Sequence, residues 1–193
     1  AAGGGYAAQG YGLRFGLAAG IMMIAVIGGR IVPSFTRNWL VRRGGGRLPT
    51  PPMQRFDKLA LLILLAVLAL WVVRPGGTAT AIGLLLVGLL HLARLVRWAG
   101  YRCFSEPLVW VLHAGYAFLP LGALAIGGEI LMPGFMGAAS AQHLWMAGAV
   151  GLMTLAVMTR ATLGHSGQAL TAGKGTVGLY VALVAAVLAR LGA

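Results

Sequence analysis

The chain has 193 residues, 59% of them hydrophobic and only 9% charged. Because soluble domains carry about 25% charged residues, this composition excludes an ordinary soluble domain and indicates an integral membrane protein. The net charge of +12, from 15 Lys and Arg against 3 Asp and Glu, comes from basic residues in loops between apolar runs. It therefore favours contact with anionic lipid headgroups over nucleic-acid binding.

Six apolar runs follow in chain order, each about long enough to cross the ~30 Å hydrocarbon core of a bilayer. They cover residues 12–33, 57–74, 78–98, 106–132, 141–163 and 174–191. A glycine-rich lead-in at 1–12, expected to be flexible, precedes them, and the only long loop is the polar stretch 34–55. We therefore predict an all-α, polytopic membrane helix bundle of about six transmembrane helices, with residues 1–193 forming a single membrane domain.

Helix-terminating residues predict several span ends. Pro33, Pro133 and Gly164 are expected to close the first, fourth and fifth spans, while Asp57 and the Ser-Glu-Pro at 105–107 open the second and fourth. Pro120, inside the fourth span, predicts a kink whose freed backbone groups neighbouring helices must satisfy. Gly16 and Gly20 form a GxxxG pair that favours close helix contact.

The basic residues predict the orientation in the membrane, because cytoplasmic loops carry the excess of Lys and Arg. One side holds Arg30, Arg37, Arg42, Arg43, Arg47, Arg55, Lys58, Arg94, Arg97, Arg102, Arg160 and Lys174, and the other only Arg14, Arg74 and Arg190. We therefore predict cytoplasmic loops at 34–55, 99–105 and 164–173 and both termini on the outer side.

Histidines inside apolar spans are candidates for a functional site, because ionisable groups in the bilayer are costly. His91 lies nine residues before Gly100 and His113 seven after Glu106, so each is roughly 10–14 Å from the same membrane edge at 1.5 Å per residue. That depth suits two axial imidazoles on a haem or two ligands of one metal ion. The alternative is a pair of hydrogen-bonded histidines that pack the bundle.

His143 and His165 lie 22 residues apart on the fifth span, a separation of about 33 Å that prevents them from sharing one ion. Either could form a second site, and His143 could instead face the headgroups. Met146 and Met153 are on the same side as His143, and thioethers with imidazole suit Cu(I). Methionine is also a common gap-filler in helix packing.

Two charged residues near the central histidines have two interpretations each. Glu106 lies on one helix face with Trp110 and His113, so it could orient a metal-ligating imidazole or simply begin the helix. Arg94, one turn after His91, could pair with a haem propionate or extend to the interface.

Several long segments of the chain resemble the NnrS family, in an unbroken order. They are "GGRIVPSFTRNWL" at 28–40, "LLHLARLVRW" at 89–98, "EPLVWVLHAGYAFLPLG" at 106–122, "HLWMAGAVG" at 143–151 and "GLMTLAVMTRATLGHSG" at 151–167. The family comprises polytopic bacterial membrane proteins associated with haem, copper and the response to nitric oxide. Its members are typically about twice this length, with about twelve spans. This chain resembles the C-terminal half, and since it begins at Ala1 we expect a processed chain, a fragment or a half-length relative.

The resemblance implies a polar intramembrane set. It comprises His91, His113, His143, His165, Arg30, Arg37, Asn38 and Arg160. From this set and from Arg94 we take as candidates for binding the cofactor His91, His113, His165, Arg30, Arg94 and Arg160, and as candidate metal ligands His91, His113, His143 and His165. On the cytoplasmic side, Arg30, His91, His113, Arg160 and His165 are expected to form one polar cluster.

The leading hypothesis is a protein of the bacterial inner membrane that binds haem b, and copper as a second candidate, and that binds or responds to nitric oxide or protects against nitrosative stress. The alternative is a structural or assembly subunit without its own cofactor, packed against a larger membrane complex. A missing N-terminal half or a partner membrane subunit could complete the site. With three acids to carry protons, enzymatic activity stays open.

Overall fold

The computed structural model describes residues 10–191, which form six helices joined by short loops and contain no strand. The helices are α1 (Tyr11–Arg42), α2 (Arg55–Val73), α3 (Thr78–Val96), α4 (Pro107–Leu131), α5 (Ala138–His165) and α6 (Lys174–Ala189). The predicted all-α bundle is therefore confirmed. Most of the expected lead-in lies outside the described residues, and Tyr11 already belongs to α1.

Helices α1 to α5 are long and apolar enough to cross a membrane, and this makes the chain a membrane protein. Helix α6 is apolar but has only 16 residues. At 1.5 Å per residue it extends about 24 Å, less than the ~30 Å hydrocarbon core. The loops 43–54, 97–106 and 166–173 lie at the end of the bundle that we call the basic end.

Helix α1 does not stop at Pro33, where the sequence predicted its end, but continues to Arg42. Proline removes only one backbone donor, and membrane helices tolerate this loss where neighbouring helices and hydroxyl side chains support the backbone. Pro33 is buried against the bundle. The hydroxyls of Ser34 and Thr36 donate to the carbonyls of Arg30 and Val32, one turn back, at 2.6 and 2.8 Å.

Helix α4 is the centre of the bundle, and it packs most extensively against α3 and α5. Glycines make this close packing possible. A Cβ at Gly122 would lie 2.2 Å from Cδ1 of Trp145, and one at Gly88 would lie 2.5 Å from Cγ of Leu124. Beside Pro120, Trp145 Nε1 donates to the Leu119 carbonyl at 2.8 Å, so α5 supplies a donor next to the proline.

Both carboxylate oxygens of Asp57 and of Glu129, near two helix ends, accept hydrogen bonds. Asp57 forms a capping box with Gln54 at the start of α2, as its position in the sequence predicted. Near the end of α4, the Glu129 carboxylate accepts backbone N–H groups from Gly134, Met136 and Gly137, each at 2.9 Å. This arrangement holds the 132–137 turn in place.

Candidate functional site

A buried ion pair at the basic end joins four helices. Arg94 of α3 is fully buried, and its Nε donates to Asp57 of α2 at 2.9 Å. Its Nη1 donates to the Tyr116 hydroxyl of α4 at 2.8 Å and to the Ala25 carbonyl of α1 at 3.3 Å. The sequence had suggested that Arg94 extends to the interface or meets a propionate, but the structure places it inside the bundle with a carboxylate partner.

His91 completes this group, which we call the Arg94 network: Asp57, His91, Arg94 and Tyr116. Arginine only donates, so the Tyr116 oxygen accepts from Arg94, and Tyr116 is also hydrogen-bonded to His91 Nδ1 at 2.8 Å. His91 Nε2 is buried and has no hydrogen-bond partner among the described residues.

His113 lies in a separate hydrogen-bonded unit. The Thr36 hydroxyl donates to the Val32 carbonyl at 2.8 Å and is hydrogen-bonded to His113 Nε2 over a distance that is also 2.8 Å. Thr36 also lies within hydrogen-bonding reach of the buried Cys103 thiol. Within residues 10–191, no hydrogen bond engages Nδ1 of His113.

A groove with a volume of about 330 Å³ opens beside His113 at the basic end. We call it the His113 groove. It is lined by Leu95, Val96, Gly100, Tyr101, Phe104, Trp110, His113 and Ala114. Val96, Tyr101 and Phe104 are largely exposed, so the groove opens on the outside of the bundle. Its walls are apolar and aromatic, and His113 is its one imidazole.

Gly100 forms the wall next to the imidazole. A Cβ at this position would lie 2.5 Å from Nδ1 of His113 and 2.9 Å from its Cε1, closer than real side chains approach one another. The left-handed backbone of this turn belongs to the preceding residue, Ala99, at φ 55°. Gly100 is therefore needed because its turn packs directly on the face of the His113 ring.

The other predicted site residues do not join one cluster around the two central histidines. Arg30 and His165 are exposed, and His143 is half-buried near the opposite end, at the start of α5. Arg160 is half-buried with its guanidinium over the Phe35 ring, 4.2 Å from the ring centre. Among these residues, Arg160 is thus the one that contacts the ring of another helix at the basic end.

The structure also gives the surroundings of Glu106 and of the two candidate copper-binding methionines. Glu106 immediately precedes Pro107 as the N-cap of α4, in agreement with its interpretation as a helix-start residue. His113 Nε2 is hydrogen-bonded to Thr36 instead of to this carboxylate. Met153 is buried, with its sulfur close to Gly115, and Met146 is more exposed. These surroundings suit packing by Met153, and the copper site stays a prediction.

Sequence reasoning missed three partners of the candidate site residues: the pairing of Asp57 with Arg94, Tyr116 as the bridge, and Thr36 as the partner of His113. One signal was available. A buried arginine requires a partner, and Asp57 is one of only three acids, located at the same end of the bundle. Thr36 could not be found, since the predicted end of α1 at Pro33 left it in a loop.

The residues present fit one imidazole ligand of a haem. His91 is hydrogen-bonded to Tyr116 through Nδ1, whereas His113 lies at a groove with apolar walls. A haem iron takes a single axial imidazole in many proteins. The two-histidine site stays a prediction, because the structure bonds the two rings to different partners. Within the described residues, no group of three His, Cys, Asp or Glu side chains could hold a bare metal ion.

Comparison with known proteins gives one match. A family model described as "NnrS protein" matches residues 1–193, the whole chain. No curated protein and no solved structure matches it.

Proposed function

The chain belongs to the NnrS family, and on this premise we propose that it binds haem b in the bacterial inner membrane, with His113 as the axial imidazole. Family membership makes it a membrane protein related to the nitric oxide response. The proposed step beyond this is that the chain itself holds the cofactor and binds nitric oxide there. The observation that supports it is the His113 groove, an apolar and aromatic groove with one imidazole in its wall.

The residues around the groove have separate tasks in this proposal. Thr36 is hydrogen-bonded to His113 Nε2 and fixes the ring. Tyr101, Phe104 and Trp110 offer apolar and aromatic surface to a planar ligand and exclude water from it. The Arg94 network ties α3 and α4 together and so fixes the two helices that form the groove. A bound haem would supply an open coordination position for nitric oxide.

The arginines near the basic end are candidates for the haem propionates. Arg30 is exposed and Arg160 half-buried there, so we propose these two for that role, while Arg94 is engaged by Asp57. His165 is exposed at the same end and is proposed as a further ligand. Copper, with His143 and Met146 at the opposite end, is the second cofactor we propose. The orientation we propose has the basic end in the cytoplasm and both termini in the periplasm.

The test is a UV–visible spectrum of the detergent-purified protein, expressed with haem supplied. It would be recorded oxidised, dithionite-reduced and exposed to nitric oxide, with metal analysis of the same sample. We expect a Soret band that moves with reduction and with nitric oxide. His113→Ala is expected to lose this band while the protein stays folded by circular dichroism. A colourless wild-type sample would contradict the proposal for this chain.

The second candidate function is a structural subunit, favoured by the glycine stripe of α1. Gly12 and Gly16 lie along a groove of about 400 Å³, and no described atom lies within 4 Å of a Cβ built on either. A partner helix could therefore approach closely. Gly16→Leu leaves the fold of the single chain intact but blocks such a partner. If size-exclusion chromatography in mild detergent shows the same assembly for Gly16→Leu and wild type, this candidate fails.

A further inference from the structure

We propose that a groove between α1 and α2 binds one anionic phospholipid, with an acyl chain along the groove and the phosphate beside Arg74 and Arg14. The site lies at the end of the bundle opposite the basic end, and we call it the α1–α2 groove. The inference goes beyond the haem proposal and is independent of it, since it uses other helices and the other leaflet of the bilayer.

The α1–α2 groove has a volume of about 630 Å³, and hydrophobic residues line it. On α1 it extends from Phe15 to Ile27, and on α2 it extends from Val73 back to Leu65. At 1.5 Å per residue these two stretches are about 12–18 Å long, close to the ~15 Å of hydrocarbon in one leaflet. The groove therefore has the length and the polarity that a single acyl chain requires.

Alanines form the depression in a surface that otherwise carries larger side chains. Ala18, Ala19 and Ala69 line the groove, whereas Phe15 and Val73 at its outer end are 68% and 57% exposed. Ala69 is itself exposed. A larger side chain at this position would therefore fill the groove without entering the packed interior of the bundle.

Arg14 lies at the outer end of the groove and is held there by two contacts. Its Nε donates at 3.1 Å to the carbonyl of Val72, one of the last carbonyls of α2, which have no partner within the helix. Its guanidinium also lies over the Tyr11 ring, 5.0 Å from the ring centre. Phe15 and Val72 both line the groove, so the position of Arg14 is fixed at its wall.

Arg74 adds a second positive charge at the same place, directly after Val73. The Thr80 hydroxyl donates to its carbonyl at 2.7 Å and fixes the backbone, while its side chain is exposed. Within residues 10–191, no hydrogen bond or ion pair engages the Arg74 guanidinium. Of the three acids in the chain, Glu129 is the one at this end, and three backbone N–H groups already bind its carboxylate. An external anion therefore suits Arg74.

The combination of charge and groove indicates the chemical class of the ligand. The end opposite the basic end has three basic residues, Arg14, Arg74 and Arg190, and two of them lie at the mouth of one groove. Arginine binds phosphate oxygens well, but a free phosphate would leave the apolar groove empty. A phospholipid uses both parts of the site, and an anionic headgroup complements the two charges.

The experiment titrates lipid into the full-length protein in detergent and counts bound lipids by native mass spectrometry. The probes are phosphatidylglycerol and phosphatidylcholine with the same acyl chains. We expect wild type to bind one phosphatidylglycerol more tightly than phosphatidylcholine. Arg74→Gln is expected to weaken phosphatidylglycerol binding by about 5-fold, the effect of one cation beside an anionic lipid surface, and to leave phosphatidylcholine binding unchanged. Arg190→Gln is the matched control and is expected to change neither affinity.

A second pair of variants tests the groove itself. Ala69→Leu is expected to lower the affinity for both lipids, because it removes space for the acyl chain. The matched control is Ala66→Leu, since Ala66 is also exposed on α2 but does not line the groove. Both substitutions are at exposed positions, and thermal unfolding followed by circular dichroism checks that the two variants are equally stable.

Phosphatidylglycerol with a photoreactive acyl chain locates the lipid. Crosslinks within residues 15–27 and 65–73, lost in Ala69→Leu and kept in Ala66→Leu, would support the proposal. Equal affinities of wild type for the two lipids, equal losses in Arg74→Gln and Arg190→Gln, or crosslinks spread evenly over all helices would overturn it. A protein dimer that Ala69→Leu abolishes, without lipid crosslinks in the groove, would instead assign the groove to a second copy of the chain.

Discussion

At the scale of single residues, Arg94 is the charge that the bundle surrounds most completely. It is fully buried, its ion-pair partner Asp57 is nearly so, and a Cβ on Gly29 would lie 2.2 Å from its Nη2. A buried pair of this kind adds little stability compared with apolar residues, yet breaking it is costly because one charge is left without its partner. The network therefore fixes the relative positions of α1 to α4.

Asp57→Asn is expected to lower the free energy of unfolding by about 3–5 kcal/mol, since it leaves the Arg94 guanidinium buried without a counter-charge. Arg97→Gln, which removes a more exposed arginine bonded to Gln54, is expected to cost less than about 1 kcal/mol. Denaturation of both variants in mixed micelles measures the difference. Asp57→Leu combined with Arg94→Met should recover much of the loss, and equal stabilities for Asp57→Asn and Arg97→Gln would refute the argument.

The sequence could identify polar residues within the membrane but not all of their partners. Depth along a helix follows from residue counting, and it placed His91 and His113 near the same end. The direction in which each side chain points around its helix does not follow from one sequence. His91 therefore faces Tyr116 and His113 faces Thr36, although counting alone allowed them to face each other.

At the scale of the helices, composition predicted most of the structure. The ends of α2 to α5 lie within three residues of the predicted spans, because apolar length is itself the physical requirement for crossing lipid. The exception was α1, where Pro33 was taken as a terminator. The rule that proline ends helices holds in water, whereas inside a bundle neighbouring groups compensate for the missing donor.

Glycines at helix contacts give a test at this scale. Gly122→Ala places a methyl group 2.2 Å from the Trp145 ring, and overpacking of this kind costs about 1–3 kcal/mol. Gly16→Ala meets nothing within 4 Å among the described residues and gains up to about 1 kcal/mol of helix propensity. Thermal unfolding of the two variants should therefore shift in opposite directions. A Gly122→Ala variant as stable as wild type would show that α4 and α5 pack less closely.

At the scale of the whole molecule, the uneven distribution of basic residues predicts the orientation. In a Cys103→Ser background, which removes the single native thiol, Ser105→Cys reports on the basic end and Thr78→Cys on the opposite end, both at exposed positions. A membrane-impermeant maleimide should label Ser105→Cys only in inverted vesicles and Thr78→Cys only in intact spheroplasts. The reverse pattern would place the basic end outside.

The family and the membrane class of the whole chain were accessible from the sequence, because both depend on long segments and overall composition. The His113 groove was not accessible from the sequence, because the end of α3, the 99–105 turn and the start of α4 form it together. A turn with left-handed backbone at Ala99 cannot be located from periodicity, and Gly100 has a function only in relation to the ring that it faces.

The short sixth helix has a consequence for the lipid around the protein. If α6 crosses the bilayer, its length of about 24 Å leaves a hydrophobic mismatch of about 6 Å against the hydrocarbon core. A bilayer meets such a mismatch by thinning locally, and a lysine at the start of a helix, as Lys174 is here, can extend to the headgroups. We therefore expect the edge formed by α6 to favour short or disordered acyl chains, and a thicker bilayer to strain this edge before any other.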